Sequence, residues 1–118
     1  MGHNGKLQIR VARKGQGLGG VYVGRPTPLG NPFRLEREDQ REEVVARYAT
    51  WLEEELRQGN PAVTRALEEL YRRLKRRGAL TLLCFCAPRR CHGEVIAEHL
   101  RRRAEAEGLQ AEVEVVGR

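Results

Sequence analysis

The sequence predicts an α/β domain with three layers, built on a mixed, mostly parallel sheet of about four to five strands and about three main helices. Residues 79–85 are apolar on both sides apart from Thr81, as in a central strand with both faces covered. Apolar residues recur at helical spacing in segments 39–58, 61–77 and 91–107. The 118 residues fit one domain, residues 1–118.

Three further segments have the pattern of strands. Residues 6–13 alternate apolar and polar side chains, which predicts a half-buried strand. Residues 21–23 form a short strand-like run after the glycine-rich segment 15–20, which predicts a flexible hairpin connection. Residues 111–116 alternate again and predict a last, half-exposed strand, so that strand, helix and strand from residue 79 onward form a right-handed βαβ unit.

The helix boundaries are marked by capping residues. Asn60 and Pro61 suit the N-cap and first position of the second helix, and Gly78 suits its end. Asp39 or its neighbours suit the start of the first helix, and Trp51 falls on its apolar stripe. Each helix is therefore expected to bury one face against the sheet.

The charge favours anionic partners. The formal net charge is +6, and arginine supplies 19 of the 22 basic side chains. Such a balance suits nucleotides, phosphorylated metabolites or nucleic acid. Sixteen acidic residues are interleaved with the arginines, so an ion-paired surface is the competing interpretation.

The composition also indicates the cellular compartment in which the protein is expected. No apolar run approaches the length of a membrane span, and the N-terminus lacks the apolar region of a secretory signal. The three cysteines are odd in number and clustered, which argues against a disulfide framework. A cytoplasmic protein with reduced thiols and no membrane partner is expected, and the oligomeric state is left open.

The loop at residues 24–33 is not an ordinary linker. It holds three prolines, together with Gly24 and Gly30, which permit close backbone approaches. A rigid loop that presents Arg25 and Asn31 after a strand can hold a ligand. The alternative is a structured turn that covers the core.

The loop at residues 86–93 combines a strand end with a helix start. Free backbone N–H groups, together with Arg89 and Arg90, predict an anion-binding pocket there. The same positive potential should lower the pKa of a thiol, which makes Cys91 a candidate nucleophile. His92 or His99 is then the candidate base.

Two other interpretations of the cysteines remain open. Cys84, Cys86, Cys91 and His92 offer four ligands of the kind that zinc accepts, although their spacing is not that of a zinc knuckle. Alternatively, Cys84 and Cys86 are small buried side chains and His92 caps the helix. Apart from this zinc alternative, no cofactor is expected.

Motifs in both loops resemble one family. The first loop reads Val23-Gly24-Arg25-Pro26 and then Gly30-Asn31-Pro32-Phe33, and the second reads Cys84-Phe85-Cys86-Ala87-Pro88 and then Cys91-His92-Gly93. The pair in this order resembles the family named domain of unknown function 4326, over roughly residues 20–100. The second loop is also similar to that of an uncharacterised family numbered 488. The resemblance implies a Rossmann-like domain and no established activity.

Together these features predict a domain that binds a small anionic ligand, a nucleotide or a nucleotide-derived molecule, between the two loops. The expected ligand-binding residues are Gly24, Arg25, Pro26, Gly30, Asn31, Pro32, Phe33, Cys86, Arg89, Arg90 and Gly93. One alternative is an enzyme that uses Cys91 and His92 on a nucleoside or phosphate-bearing substrate. Another is nucleic-acid binding through the arginine-rich surface.

Overall fold

The computed structural model describes residues 6–118. The strands are β1 (Leu7–Arg13), β2 (Val21–Tyr22), β3 (Ala79–Cys84) and β4 (Ala111–Val115). The helices are α1 (Arg41–Arg57), α2 (Pro61–Arg77) and α3 (His92–Ala106), and a short 3₁₀ helix, Glu38–Gln40, precedes α1.

The described strands form one parallel sheet in the order β2-β3-β1-β4. This arrangement confirms the predicted α/β class with its mostly parallel sheet and three helices. The central position of β3 agrees with its apolar sequence, because a strand with neighbours on both sides loses most of its contact with water. β1 and β4 pair through Ile9 and Val113, and β2 pairs with β3 through Val21 and Leu82.

The predicted hairpin between β1 and β2 is wrong. Both strands run parallel to β3 and lie on opposite sides of it. Because β3 takes the centre, residues 14–20 must carry the chain past it instead of turning it back. Gly20 lies so close to β3 that an added Cβ would come within 2.6 Å of the Thr81 carbonyl oxygen. The glycine-rich sequence therefore serves this close crossing.

The main core lies between the helices and one face of the sheet. Ile9, Val11 and Leu82 are fully buried on that face and belong to one cluster with Tyr48 and Leu100 from the helices. On the opposite face Ala12 and Leu83 are also buried, while the side chains of β4 make exposed ion pairs with β1 and its preceding residue. Burial on both faces of β3 fits the sequence prediction.

The helix ends largely follow the capping residues. Asn60 Oδ1 accepts hydrogen bonds from the backbone N–H groups of Ala62 (3.0 Å) and Val63 (3.4 Å), and Gly78 adopts a positive φ of 77°. α1 begins slightly later than expected because the 3₁₀ helix occupies its predicted first turn. Trp51, expected in the core, is half-buried and packs against Tyr48 from outside, with 5.4 Å between ring centroids.

The topology brings the two unusual loops together. β2 and β3 are neighbours and point the same way, so the loops that follow them leave the same edge of the sheet. α3 begins directly after the second loop, at His92. Within residues 6–118, no helix has both the length and the apolar character needed to cross a bilayer.

Candidate functional site

The two loops enclose a cavity of about 340 Å³ together with the start of α1. Eight of the residues singled out from the sequence line it: Gly24, Arg25, Asn31, Phe33, Cys86, Arg90, Cys91 and His92. Six further residues complete the wall: Tyr22, Leu35, Arg41, Val44, Val45 and Phe85. The loops predicted to form two walls of one site therefore do face a common space.

Five residues expected to bind a ligand lie outside the cavity lining: Pro26, Gly30, Pro32, Arg89 and Gly93. Each loop also contains a cis peptide bond, at Arg25–Pro26 and at Ala87–Pro88. The two glycines have a packing role, since each lies where a side chain would displace a neighbour. These motif residues shape the wall and present other side chains to the cavity.

Two buried side chains from the helices hold the 24–33 loop, one through Leu29 and one through Val23, the residue before the loop. The hydroxyl of Tyr48, on α1, donates to the Leu29 carbonyl at 2.6 Å. His92 Nε2 lies 2.8 Å from the carbonyl oxygen of Val23, so a neutral imidazole protonated at Nε2 donates there. The rings of Tyr48 and His92 meet edge to face at 5.1 Å. This pair fixes the loop relative to the start of α3.

Gly30 allows the 24–33 loop to close on itself. A Cβ at this position would lie 2.8 Å from the Arg25 backbone nitrogen and 2.9 Å from its Cα. Because the obstacle is backbone, it cannot move aside as a flexible side chain would. Gly30 therefore positions Arg25 at the cavity without touching the cavity itself.

Gly30→Ala is expected to lower the free energy of unfolding by about 1–3 kcal/mol, the usual cost of overpacking. Gly19→Ala is the matched control, because nothing lies within 4 Å of a Cβ there and its φ is not positive. Urea denaturation of the two variants measures the difference. Equal stabilities would show that Gly30 is not held against Arg25.

The cavity wall carries three guanidinium groups, and no carboxylate of the described residues lines it. Arg90 pairs with Glu42 at 3.1 Å, and Arg41 pairs with Glu38 while donating to the Arg90 carbonyl at 2.8 Å. Arg25 differs from them, since no carboxylate within residues 6–118 lies at ion-pair distance from it. Arg25 is thus the cation with charge left for a ligand.

Arg89, the other expected cation, is not among the residues that line the cavity. Its guanidinium pairs with Glu38 at 3.2 Å. That bond, with those of Arg41, ties the 86–93 loop to the 3₁₀ helix before α1. Arg89 holds the wall in place and does not line it.

Three aromatic rings, those of Tyr22, Phe33 and Phe85, line the cavity. Phe85 is 62% exposed, and its ring meets that of Tyr22 edge to face at 5.6 Å. Phe33 also lines the cavity, with the Arg47 guanidinium 6.0 Å from its ring centroid. An apolar ring left in water at the end of a buried strand indicates a surface that a flat ligand could cover.

The side chain of Asn31 uses its oxygen in a hydrogen bond within the loop and leaves its amide nitrogen for another partner. Its Oδ1 accepts a hydrogen bond from the Phe33 backbone N–H at 2.9 Å, which shapes the turn. Among the hydrogen bonds of the described residues, none uses its Nδ2 as a donor. The directional amide expected here is therefore a donor at the cavity wall.

Two of the three thiols form a buried pair. Cys84 Sγ and Cys91 Sγ lie 3.1 Å apart, within hydrogen-bond distance for sulfur. The hydrogen bond from Cys91 holds the pKa of the Cys84 thiol below its usual range, and the backbone N–H groups of Ala87 and Cys86 act in the same direction. The same bond to Cys84, with burial, raises the pKa of Cys91. The low pKa expected at Cys91 thus falls on its partner.

His92, the proposed base, is held neutral by burial, and its hydrogen bond occupies one ring nitrogen. Burial lowers the pKa of His92, and its Nε2 is already engaged with Val23. His99, the other candidate, lies in a different surface cleft beside Glu53 and Arg102, and burial lowers its pKa as well. A role of Cys91 and His92 in catalysis stays a prediction, with Nδ1 as the free nitrogen of His92.

Because both histidines are held neutral, stability should fall as the pH falls from about 7 towards about 5. Over this range the unfolded imidazoles take up protons that the folded protein does not. The lowered pKa values of Glu38 and Glu68 act in the same direction, but only below their usual value of 4.5. The double variant His92→Ala, His99→Ala should flatten the slope in chemical denaturation, and an unchanged slope would contradict this account.

The alternative zinc site is not assembled. Within residues 6–118 no three His, Cys, Asp or Glu side chains are grouped so as to hold a metal ion. Cys84 and Cys91 meet in the core, whereas Cys86 is half-buried at the cavity and the His92 ring turns towards Val23. Among the described residues, the structure therefore does not bring Cys84, Cys86, Cys91 and His92 together as one ligand set.

Fold and site together define a small parallel α/β domain with a loop-built cavity at the carboxyl end of its central strand. The model of the family described as Domain of unknown function (DUF4326) matches residues 8–102, so the chain belongs to that family. Comparisons with curated proteins and with solved structures gave no match. The family match covers both loops, in agreement with the resemblance of their motifs.

Proposed function

We propose that this domain binds a nucleotide or nucleotide-derived anion in the cavity between the 24–33 and 86–93 loops. The observation that carries the proposal is the lining itself: three arginines and three aromatic rings around about 340 Å³, with no carboxylate from residues 6–118. A phosphate and a flat base need these two kinds of partner.

The cationic part of the wall suits a phosphate group. Arg25 has no carboxylate partner within residues 6–118, so a bound anion would not have to displace an existing ion pair. Arg41 is the more rigid group, since its side chain is only 13% exposed and Glu38 fixes its orientation. Arginine suits phosphate because its planar fork can donate two hydrogen bonds at once.

The aromatic part suits a base. Phe85 and Tyr22 form one exposed cluster at the mouth, and a ring stacked there would cover apolar surface that water now contacts. The amide nitrogen of Asn31 adds a donor for a base or sugar oxygen. The cavity volume lies near the lower end for small-molecule sites, which favours a mononucleotide over a dinucleotide.

The ion pairing of the surface arginines favours binding of an anion in the cavity over binding of nucleic acid across the surface. Most arginines of the described residues pair with Asp or Glu, and those that do not are Arg13, Arg25, Arg34, Arg65, Arg76 and Arg77. Most of the positive side chains are thus balanced locally by a carboxylate, and the surplus of +6 is not gathered in one unpaired arginine cluster of the sheet or cavity. We place the protein in the cytoplasm, where its three free thiols would stay reduced.

Isothermal titration with the four common ribonucleoside monophosphates tests the proposal, with adenosine and inorganic phosphate as matched probes. At least one nucleotide should bind more tightly than either its nucleoside or phosphate alone, because each half of the ligand contacts its own part of the wall. No heat from any nucleotide at roughly millimolar concentration would reject the proposal.

A further inference from the structure

We propose that Cys84 and Cys91 are a redox-active dithiol, which hydrogen peroxide oxidises to an intramolecular disulfide. Their sulfur atoms lie 3.1 Å apart in the reduced protein. Both side chains are buried, at 1% and 3% exposure. This inference does not depend on whether the cavity binds a nucleotide.

The fold sets the pair in place before any reaction. Cys84 ends β3 and Cys91 is the N-cap of α3, so each sulfur is fixed by a different regular element. A disulfide bond is about 2.05 Å long, so the two sulfurs need to approach by only about 1 Å. The six residues between them form a surface loop that can follow such a shift.

The neighbouring Gly93 leaves room for the pair. A Cβ at Gly93 would lie 3.4 Å from Cys91 Sγ, 3.8 Å from Cys84 Sγ and 3.1 Å from a Val11 methyl group. An added Cβ would therefore crowd the Val11 methyl group and touch both sulfurs at contact distance. This gives Gly93, which does not line the cavity, a role in the same site.

A small oxidant has a route to the pair through the cavity. Cys91 contributes to the cavity wall, whereas Cys84 lies behind it. Cys86 also lines the cavity, but among the described residues its sulfur has no hydrogen bond to either partner. The dithiol thus has one member facing the entrance and one resolving member 3.1 Å away.

The chemistry balances with peroxide as the two-electron oxidant. When the pair holds a single proton, most of the charge lies on Cys84, whose pKa is lowered, and the rest lies on Cys91. Cys91, which lines the cavity, reacts in the minor form in which Cys84 holds the shared proton. Its thiolate attacks peroxide, the O–O bond breaks, and Cys91 sulfenic acid and hydroxide result. The Cys84 sulfur then attacks the sulfenic sulfur, the S–S bond forms as the S–O bond breaks, and the leaving hydroxide takes up the Cys84 thiol proton to become water.

Thiol counting after brief peroxide treatment tests the proposal. The wild type should fall from three free thiols to one, and the matched variant Cys86→Ser should fall from two to none. Trypsin cleaves after Arg89 and Arg90 and so separates Cys91 from the other two cysteines. A mass spectrum should show the two peptides linked, and dithiothreitol should separate them.

The Cys86→Ser variant makes the outcome decisive, because it keeps the buried pair intact. Cross-linked peptides from this variant, lost in Cys84→Ser and Cys91→Ser, support the proposal. Retention of both thiols in Cys86→Ser, or a cross-link that requires Cys86, overturns it. The nucleotide titration is separate, so failure of either result does not decide the other.

Discussion

Replacing Arg25 with alanine is expected to weaken nucleotide binding about 10–100-fold, the loss of one hydrogen-bonded charge pair with phosphate. Arg25 lines the cavity and has no carboxylate partner within residues 6–118, so its charge serves the ligand. Its side chain is exposed and the chain fold around it depends on backbone contacts. Isothermal titration of the variant measures the change.

Arg65→Ala is the matched control for that experiment. Arg65 lies exposed on α2, has no ion-pair partner in the described part of the chain and is not in the cavity wall. The two variants therefore lose the same charge at different places. Equal weakening by both would attribute binding to the overall charge, as in the nucleic-acid alternative, and would contradict a site at Arg25.

Replacing His92 with alanine is expected to lower the free energy of unfolding by about 3 kcal/mol. The buried ring would leave a void beside Tyr48, and the Val23 carbonyl would lose its donor. Thermal unfolding followed by circular dichroism should show a fall of roughly 10 °C for a domain of this size. The 24–33 loop should also become more mobile, because one of the two buried hydrogen bonds that hold it is lost.

His99→Ala is the control for the histidine variant. His99 is half-buried in another cleft, away from the cavity, and its removal should cost clearly less stability than that of His92. If the two variants were equally stable, the buried His92 ring and its hydrogen bond would not stabilise the contact between α3 and the end of β2.

The fold could be predicted because its strongest signals are local. The apolar run of β3 marked a central strand, and the Asn60–Pro61 start and Gly78 end of α2 depend on neighbouring residues only. The hairpin was wrong for a non-local reason. Residues 14–20 alone do not show that β3 lies between β1 and β2. That order depends on which strand takes the centre of the sheet.

The position of the candidate site could be predicted from the sequence, but only some of the residues in its wall could be. The composition of residues 24–33 and the clustered cysteines near residues 86–93 mark the two loops, and loops that follow parallel strands meet at one edge of a sheet. Arg41 looks like any charged residue at a helix start, and its place in the wall comes from the way α1 packs. Phe85 is predicted to lie in a strand with both faces covered, but β3 ends at Cys84 and Phe85 is 62% exposed.

The cysteines show the limit of reasoning from spacing. The start of α3 indicated a lowered pKa at Cys91, but that inference treated the thiol as isolated. In the fold Cys84 faces it at 3.1 Å, and two coupled thiols share one proton unequally. Residues 84 and 91 are brought together by the turn between β3 and α3, which the sequence pattern alone does not describe.

Nuclear magnetic resonance of the ¹⁵N-labelled protein, titrated with the tightest-binding nucleoside monophosphate, tests the cavity assignment most directly. Amide shifts should change together in both loops, at Gly24, Asn31, Cys86 and Cys91, which line the cavity from its two sides. The exposed part of α2 around Arg65 should stay unchanged. Shifts confined to one loop, or spread over the arginines of the helices, would contradict a binding site between the loops.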